Sequence, residues 1–117
     1  ARHIDESIEM LVRKSALSIV SVTTCEHPPN WANTLPLDLS MERFLNKGDN
    51  VRSQDIEVAY RLNGAIYVYD VRKLLMRMTL SYTNETYAYI MKNEHSVDID
   101  TELDFKFADF LLRNKYK

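Results

Sequence analysis

The sequence predicts an α/β fold, and three features carry that reading. An amphipathic helical segment opens the chain, a short β-branched run follows it, and a capped helical segment closes it after two further strand-like runs. The predicted order is helix, strand, proline-rich excursion, strand, helix, strand, helix.

In residues 4–14, Ile4, Ile8 and Leu11 recur at helical spacing, with acids early and Arg13-Lys14 late, as a helix dipole favours. The chain enters this helix at Arg2-His3-Ile4 with no lead-in, so a further upstream part is expected. Residues 16–23 are short and β-branched and read as a buried strand. Residues 25–36 hold all three prolines together with Trp31 and are expected to leave the sheet. Trp31 packs either under that loop or against a partner chain.

Residues 60–69, rich in aromatic and β-branched side chains, predict a second strand, in which Gly64 marks a bulge or a close backbone approach. A short helix is expected over 71–76 and a strand over 86–91. Residues 96–100 alternate as an extended segment. Thr101 followed three residues later by Asp104 has the spacing of a helix N-cap, and Phe105, Ala108, Leu111 and Leu112 mark one apolar face of a terminal helix.

Composition narrows the function classes. A chain of 117 residues, 45% hydrophobic and 27% charged, with two Gly and three Pro, is that of one globular domain rather than a disordered segment. The net charge of −2 gives no global basic field, so nucleic acid and anionic membranes are not expected partners. No apolar run approaches the roughly 20 residues of a membrane span. The single Cys25 excludes an internal disulfide framework and a multi-cysteine zinc site, which fits a reducing compartment, the cytoplasm. His3, His27 and His95 show no ligand spacing, and no Gly-rich phosphate loop occurs.

Asp98 and Asp100 are the residues singled out on chemical grounds. Two apart in an extended segment, they project from one face, where both carboxylates can approach a hard cation such as Mg²⁺, which needs only one or two carboxylates beside waters and phosphates. Alternatively they are acids placed near a helix start, where the dipole favours negative charge. Arg52 and Arg61 carry guanidinium groups suited to a carboxylate or phosphate. The tyrosines read as sheet and interface packing.

The strings Tyr60-Arg61-Leu62-Asn63-Gly64-Ala65-Ile66-Tyr67, Tyr89-Ile90-Met91 and Ser96-Val97-Asp98-Ile99-Asp100-Thr101-Glu102, in that order, resemble the C-terminal half of the bacterial acylneuraminate cytidylyltransferases. His27-Pro28-Pro29, Asn33-Thr34-Leu35-Pro36 and Arg52-Ser53-Gln54-Asp55 are similar to variants within that family, so the resemblance covers nearly the whole chain. It implies the C-terminal part of a nucleotide-diphospho-sugar transferase-like, Rossmann-type three-layer fold. It also implies a dimerisation excursion over about residues 25–56 and a homodimer.

The implied reaction is transfer of CMP from CTP to a nonulosonic, sialic-type acid, with release of pyrophosphate and with Mg²⁺ required. By their place in the motif, Asp98 and Asp100 would hold that metal. Asn63 and Tyr67 would line the cleft, and an Arg beside Gln54 would grip the sugar carboxylate. Here Ser53 directly precedes Gln54 and Arg52 stands one place earlier, with Arg61 as the substitute. Tyr82, after Ser81, would stand for the aromatic residues that reach a partner's pocket. Asn30 occupies a position where some relatives carry Lys, which leaves the sugar open. The Gly-rich basic loop that cradles CTP is expected outside these 117 residues. The alternative is a non-catalytic interaction or dimerisation module.

Overall fold

The computed structural model describes residues 1–45 and 57–115. These form a mixed α/β chain in two compact units, Ala1–Thr23 with Leu62–Lys117, and Thr24–Arg61. The elements are α1 (Arg2–Arg13), β1 (Ser18–Thr24), a 3₁₀ turn (Pro29–Trp31), β2 (Tyr60–Tyr69), α2 (Val71–Arg77), β3 (Thr86–Ile90), a second 3₁₀ turn (Asn93–His95) and α3 (Glu102–Asn114).

The larger unit is built around β1, the middle strand of a three-stranded sheet ordered β2-β1-β3. β1 and β3 are parallel, with Ser18 opposite Thr86 and Val22 opposite Ile90. β2 runs the other way: the Leu17 carbonyl accepts from the Asp70 N–H, and further along β1 the Ser21 hydroxyl accepts from the Ile66 N–H. Burial on both faces is what a central strand requires, and Ile19 and Val20 lie in the core with Ala16, Leu17 and Met91.

This apolar core is small, and a polar seam runs through it. Ser7, Ser18, Ser21, Thr23 and Ser96 are all buried, and each is hydrogen-bonded. Ser18 pairs with the Thr86 hydroxyl across the parallel strands at 3.0 Å, and Thr23 donates to Asn93 Oδ1. Asn63 is the hub. Its Oδ1 accepts from the Ser21 hydroxyl (2.6 Å) and from the Ala65 N–H (3.2 Å), while its Nδ2 donates to the Ser96 hydroxyl (3.0 Å) and towards Met91 Sδ. Among the described residues no buried side-chain nitrogen or oxygen lacks a partner, as a low-dielectric interior demands.

Gly64 beside this hub has φ of +67°, and an added Cβ would meet nothing within 4 Å. Of the two expectations for Gly64, close backbone approach is therefore excluded. The glycine serves the left-handed backbone, and side chains of Ser21 and Asn63 take up the adjacent N–H groups.

Three expectations need correction. On α1, Ile4 and Ile8 are exposed, and the face turned inward is His3, Ser7, Met10 and Leu11, with Ser7 buried and its hydroxyl back-bonded to the His3 carbonyl. Residues 96–100 are not a strand. The turn at Asn93–His95 ends on Ser96, whose ψ of 22° breaks the extended run, and the segment then crosses to α3 as a loop. On α3, Ala108 and Leu111 are half-buried as expected, whereas Phe105 and Leu112 are exposed.

The Thr101 cap is present in full. Its hydroxyl accepts from the Asp104 N–H, and Asp104 Oδ2 accepts from the N–H groups of Thr101 (2.8 Å) and Asp100 (3.1 Å). Hydrogen bonding from Thr101 first, and from the Asp100 backbone with it, holds the Asp104 carboxyl below its ordinary range. Thr101→Ala is expected to cost about 1 kcal/mol, read as a lowered thermal midpoint with unchanged sheet signals. An unchanged midpoint would mean that α3 is held by packing alone.

In the smaller unit the Cys25 N–H donates to the Ala59 carbonyl, and Asn33 Nδ2 donates to the carbonyls of Arg43 and Phe44, closing a loop. Trp31 ends the Pro29–Trp31 turn half-buried. Leu35, Leu37, Leu39 and Met41, every second residue of the following stretch, are exposed.

Candidate functional site

Asp98 and Asp100 lie on the loop between the Asn93–His95 turn and α3, and both are exposed. The helix start does not use their carboxylates, because Thr101 and Asp104 already cap it. Among the described residues neither carboxylate has a hydrogen-bond or ion-pair partner, and only the Asp100 backbone N–H is engaged. Two unengaged carboxylates on a solvent-facing loop fit a hard cation that keeps part of its water shell and takes its remaining ligands from phosphates. Among the described residues no three His, Cys, Asp or Glu side chains form a ready metal cage. A cation at Asp98 and Asp100 would thus be completed by water and substrate.

The other sequence-predicted residues fall into three groups. Tyr67 and Tyr82 are about half exposed, at 50% and 57%, with their rings accessible. Asn63 and Arg61 are engaged: Asn63 in the polar seam, and Arg61 in a two-point pair with Glu26, Nη2 to Oε1 at 2.8 Å and Nε to Oε2 at 3.3 Å. Arg52 and Gln54 lie outside the described residues. The larger unit thus carries Asn63, Tyr67, Tyr82, Asp98 and Asp100, and Arg61 ends the smaller one.

The Arg61 hydrogen bond is the main reason that the Glu26 carboxyl is held below its ordinary range. A depressed folded-state pKa means that the pair contributes stability above the unfolded carboxylate range and loses it as pH falls through the folded value. Because the pair is largely solvent-exposed, screening keeps that contribution small. In an acid titration followed by NMR, the Glu26 side-chain resonance is expected to move at lower pH than that of an unpaired glutamate, and Arg61→Gln is expected to abolish the difference.

One cluster went unseen in the sequence. His3 on α1 places Nδ1 3.0 Å from the Tyr89 hydroxyl on β3, and that hydroxyl is hydrogen-bonded to Glu6 Oε2. The His95 ring lies 5.0 Å from the His3 ring, and His95 Nε2 lies 3.4 Å from Glu94 Oε1. Burial first, and the Glu6 carboxylate second, push Tyr89 up to about 12. Burial first, and then His95, push His3 down. The two histidines line a cavity of about 560 Å³ whose other walls include Met91, Val97, Ala108 and Leu111. No spacing rule joins residues from opposite ends of a chain; only α1 packing beside β3 brings them together.

No helix among the described residues is long and apolar enough to cross a membrane. No protein-family model matches the sequence. The chain is similar to the N-acylneuraminate cytidylyltransferases of Streptococcus agalactiae serotypes V and III, each 30% identical over 119 residues, covering 97% of this chain but 29% of those proteins. A shorter stretch of 68 residues, 58% of the chain, is 31% identical to the post-translational flagellin modification protein B of Campylobacter coli. The chain thus spans under a third of the length of the curated relatives it matches. Over the stretch it shares with them, the chain is similar to these N-acylneuraminate cytidylyltransferases.

Proposed function

We propose that these 117 residues are the metal- and sugar-binding portion of an enzyme that transfers CMP from CTP to a sialic-type acid and releases pyrophosphate. The observation that carries this reading is the 30% identity to cytidylyltransferases along 97% of the chain. In the same reading the sheet is the C-terminal part of a Rossmann-type, nucleotide-diphospho-sugar transferase-like fold, and CTP is held by a Gly-rich loop elsewhere in the full protein. The protein acts in the cytoplasm.

Asp98 and Asp100 would hold Mg²⁺. When bound, that ion supplies charge neutralisation at the phosphates and alignment for in-line displacement. The chain's own part is to present two carboxylates from a loop pinned at both ends, by buried Ser96 on one side and the Thr101–Asp104 box on the other. Tyr67 and Tyr82 offer exposed rings for the sugar and nucleotide. Asn63 shapes the cleft from the seam, by fixing β2 against Ser96 at the base of the metal-bearing loop. Arg52, Gln54 and Arg61 contribute to sugar-carboxylate recognition. For Arg61 this requires the incoming carboxylate to exchange with Glu26.

The expected result with the intact protein is CTP-dependent formation of a CMP-sugar from N-acetylneuraminate or a related nonulosonic acid, abolished by EDTA and restored by Mg²⁺. No product with any acid of this class, at saturating CTP and Mg²⁺, would reject the reading.

The exposed Leu35, Leu37, Leu39 and Met41 favour a second role for the smaller unit, as the dimerisation excursion of a homodimer. If catalysis is absent and the intact protein still sediments as a dimer, the chain is an interaction module.

A further inference from the structure

The His3–Tyr89–Glu6 relay and the neighbouring His95 take no part in the proposed CMP transfer, and their hydrogen bonding sets up a different chemistry. A phenol has one proton, and an ionised carboxylate only accepts. The Tyr89 proton therefore goes to Glu6, the phenol oxygen accepts, and the hydrogen in the His3–Tyr89 contact sits on His3 Nδ1. This fixes the tautomer in which His3 Nε2 keeps a free lone pair, on a ring that walls the cavity. A hydrogen-bonded partner with a carboxylate behind it, on the far nitrogen of an imidazole, is how ligating histidines are oriented and made more basic.

The spacing agrees. With metal–nitrogen bonds of about 2.0–2.1 Å, two imidazoles on a tetrahedral cation have ring centres about 5 Å apart, and those of His3 and His95 are 5.0 Å apart. No complete three-ligand cage stands among the described residues. The preset part is thus the two imidazoles, with Glu94 alongside and water filling the remaining positions.

We propose that His3 and His95 form a two-histidine site for a borderline divalent cation of the Zn²⁺ or Ni²⁺ type on the wall of the cavity between α1, the Asn93–His95 turn and α3. Imidazole ligands select such ions over Mg²⁺, which the Asp98 and Asp100 carboxylates suit. A cation bridging His3 and His95 ties α1 to the turn that leads into the Asp98–Asp100 loop.

The test is calorimetric titration of the intact protein with Zn²⁺ in a buffer holding excess Mg²⁺, with circular dichroism confirming the fold of each variant. One Zn²⁺ per chain is expected to bind. Affinity is expected to fall at least tenfold in His3→Gln and in His95→Gln, and about tenfold in Tyr89→Phe, which removes the relay but no ligand. His27→Gln is expected to bind as the wild type does. In NMR spectra the ring signals of His3 and His95 are expected to shift together. Absence of Zn²⁺ binding overturns the site, as does full affinity in either His3→Gln or His95→Gln, or loss of binding in His27→Gln. Full affinity in Tyr89→Phe overturns the relay. None of these outcomes depends on CMP transfer, so the site and the proposed enzyme activity fail separately.

Discussion

Asp98→Ala or Asp100→Ala in the intact protein is expected to lower CMP-transfer turnover by about a thousandfold or more, equivalent to about 4 kcal/mol of transition-state stabilisation, with the thermal midpoint near that of the wild type. The two halves of this expectation have separate causes. Neither carboxylate is bonded within the described protein, and both are exposed, so removing one breaks no internal contact. In the proposed reading what is lost is charge compensation where phosphate charge develops, which acts on the transition state rather than on the fold. Removing one of two like charges on a short loop also relieves repulsion in the metal-free protein. CTP-dependent product formation and a thermal melt on the same variants decide the matter. Near-wild-type turnover of both variants at saturating Mg²⁺ overturns the metal assignment. Global unfolding shows that the pair is structural.

Asn63→Ala is expected to do the reverse, lowering stability by about 2–3 kcal/mol, roughly 1 kcal/mol for each strong hydrogen bond it loses. The substitution strips partners from Ser21 and Ser96, which are 1% and 3% exposed. Where the buried apolar residues among those described are only Ala16, Leu17, Ile19, Val20 and Met91, such a loss is a large share of the total. The measurement is denaturant unfolding of Asn63→Ala beside Tyr67→Phe, which removes the hydroxyl of a half-exposed residue with no partner among the described residues and is expected to unfold as the wild type does. Wild-type stability in Asn63→Ala would show that the seam is not what joins β2 to the Ser96 turn.

Local signals in the sequence were read well where the cause was local. The β-branched run became the buried central strand, residues 60–69 matched β2 in full, and the Thr101–Asp104 spacing produced the complete capping box. Cap geometry and β-propensity act over a few residues and survive whatever surrounds them. The α1 face was misjudged because periodicity shows where apolar side chains recur, not which way the helix turns. Ser7, bonded back to the His3 carbonyl, enters the core, and Ile4 and Ile8 stay outside. The extended reading of residues 96–100 failed for a similar reason: alternation does not make a strand without a neighbour to pair with, and the turn ending on Ser96 diverts the chain first.

The candidate site divides along the same line. Asp98 and Asp100 stand out in the sequence because their spacing and motif are contiguous. What leaves them available is the equally local cap beside them, in which Asp104 takes the N–H groups at the helix start. Arg61 and Asn63 were visible as polar groups in a recognisable string, yet only the fold assigns Glu26 to the one and Ser21 and Ser96 to the other. The His3–Tyr89–Glu6 relay and its contact with His95 lay wholly beyond sequence reasoning. By itself the sequence determined the order of elements, the cap of α3 and the kinship with the cytidylyltransferases, because each resides in neighbouring residues. The tertiary structure alone decided which polar groups are consumed by the fold and which remain for chemistry, because hydrogen-bond partners are allotted in space, between residues far apart along the chain.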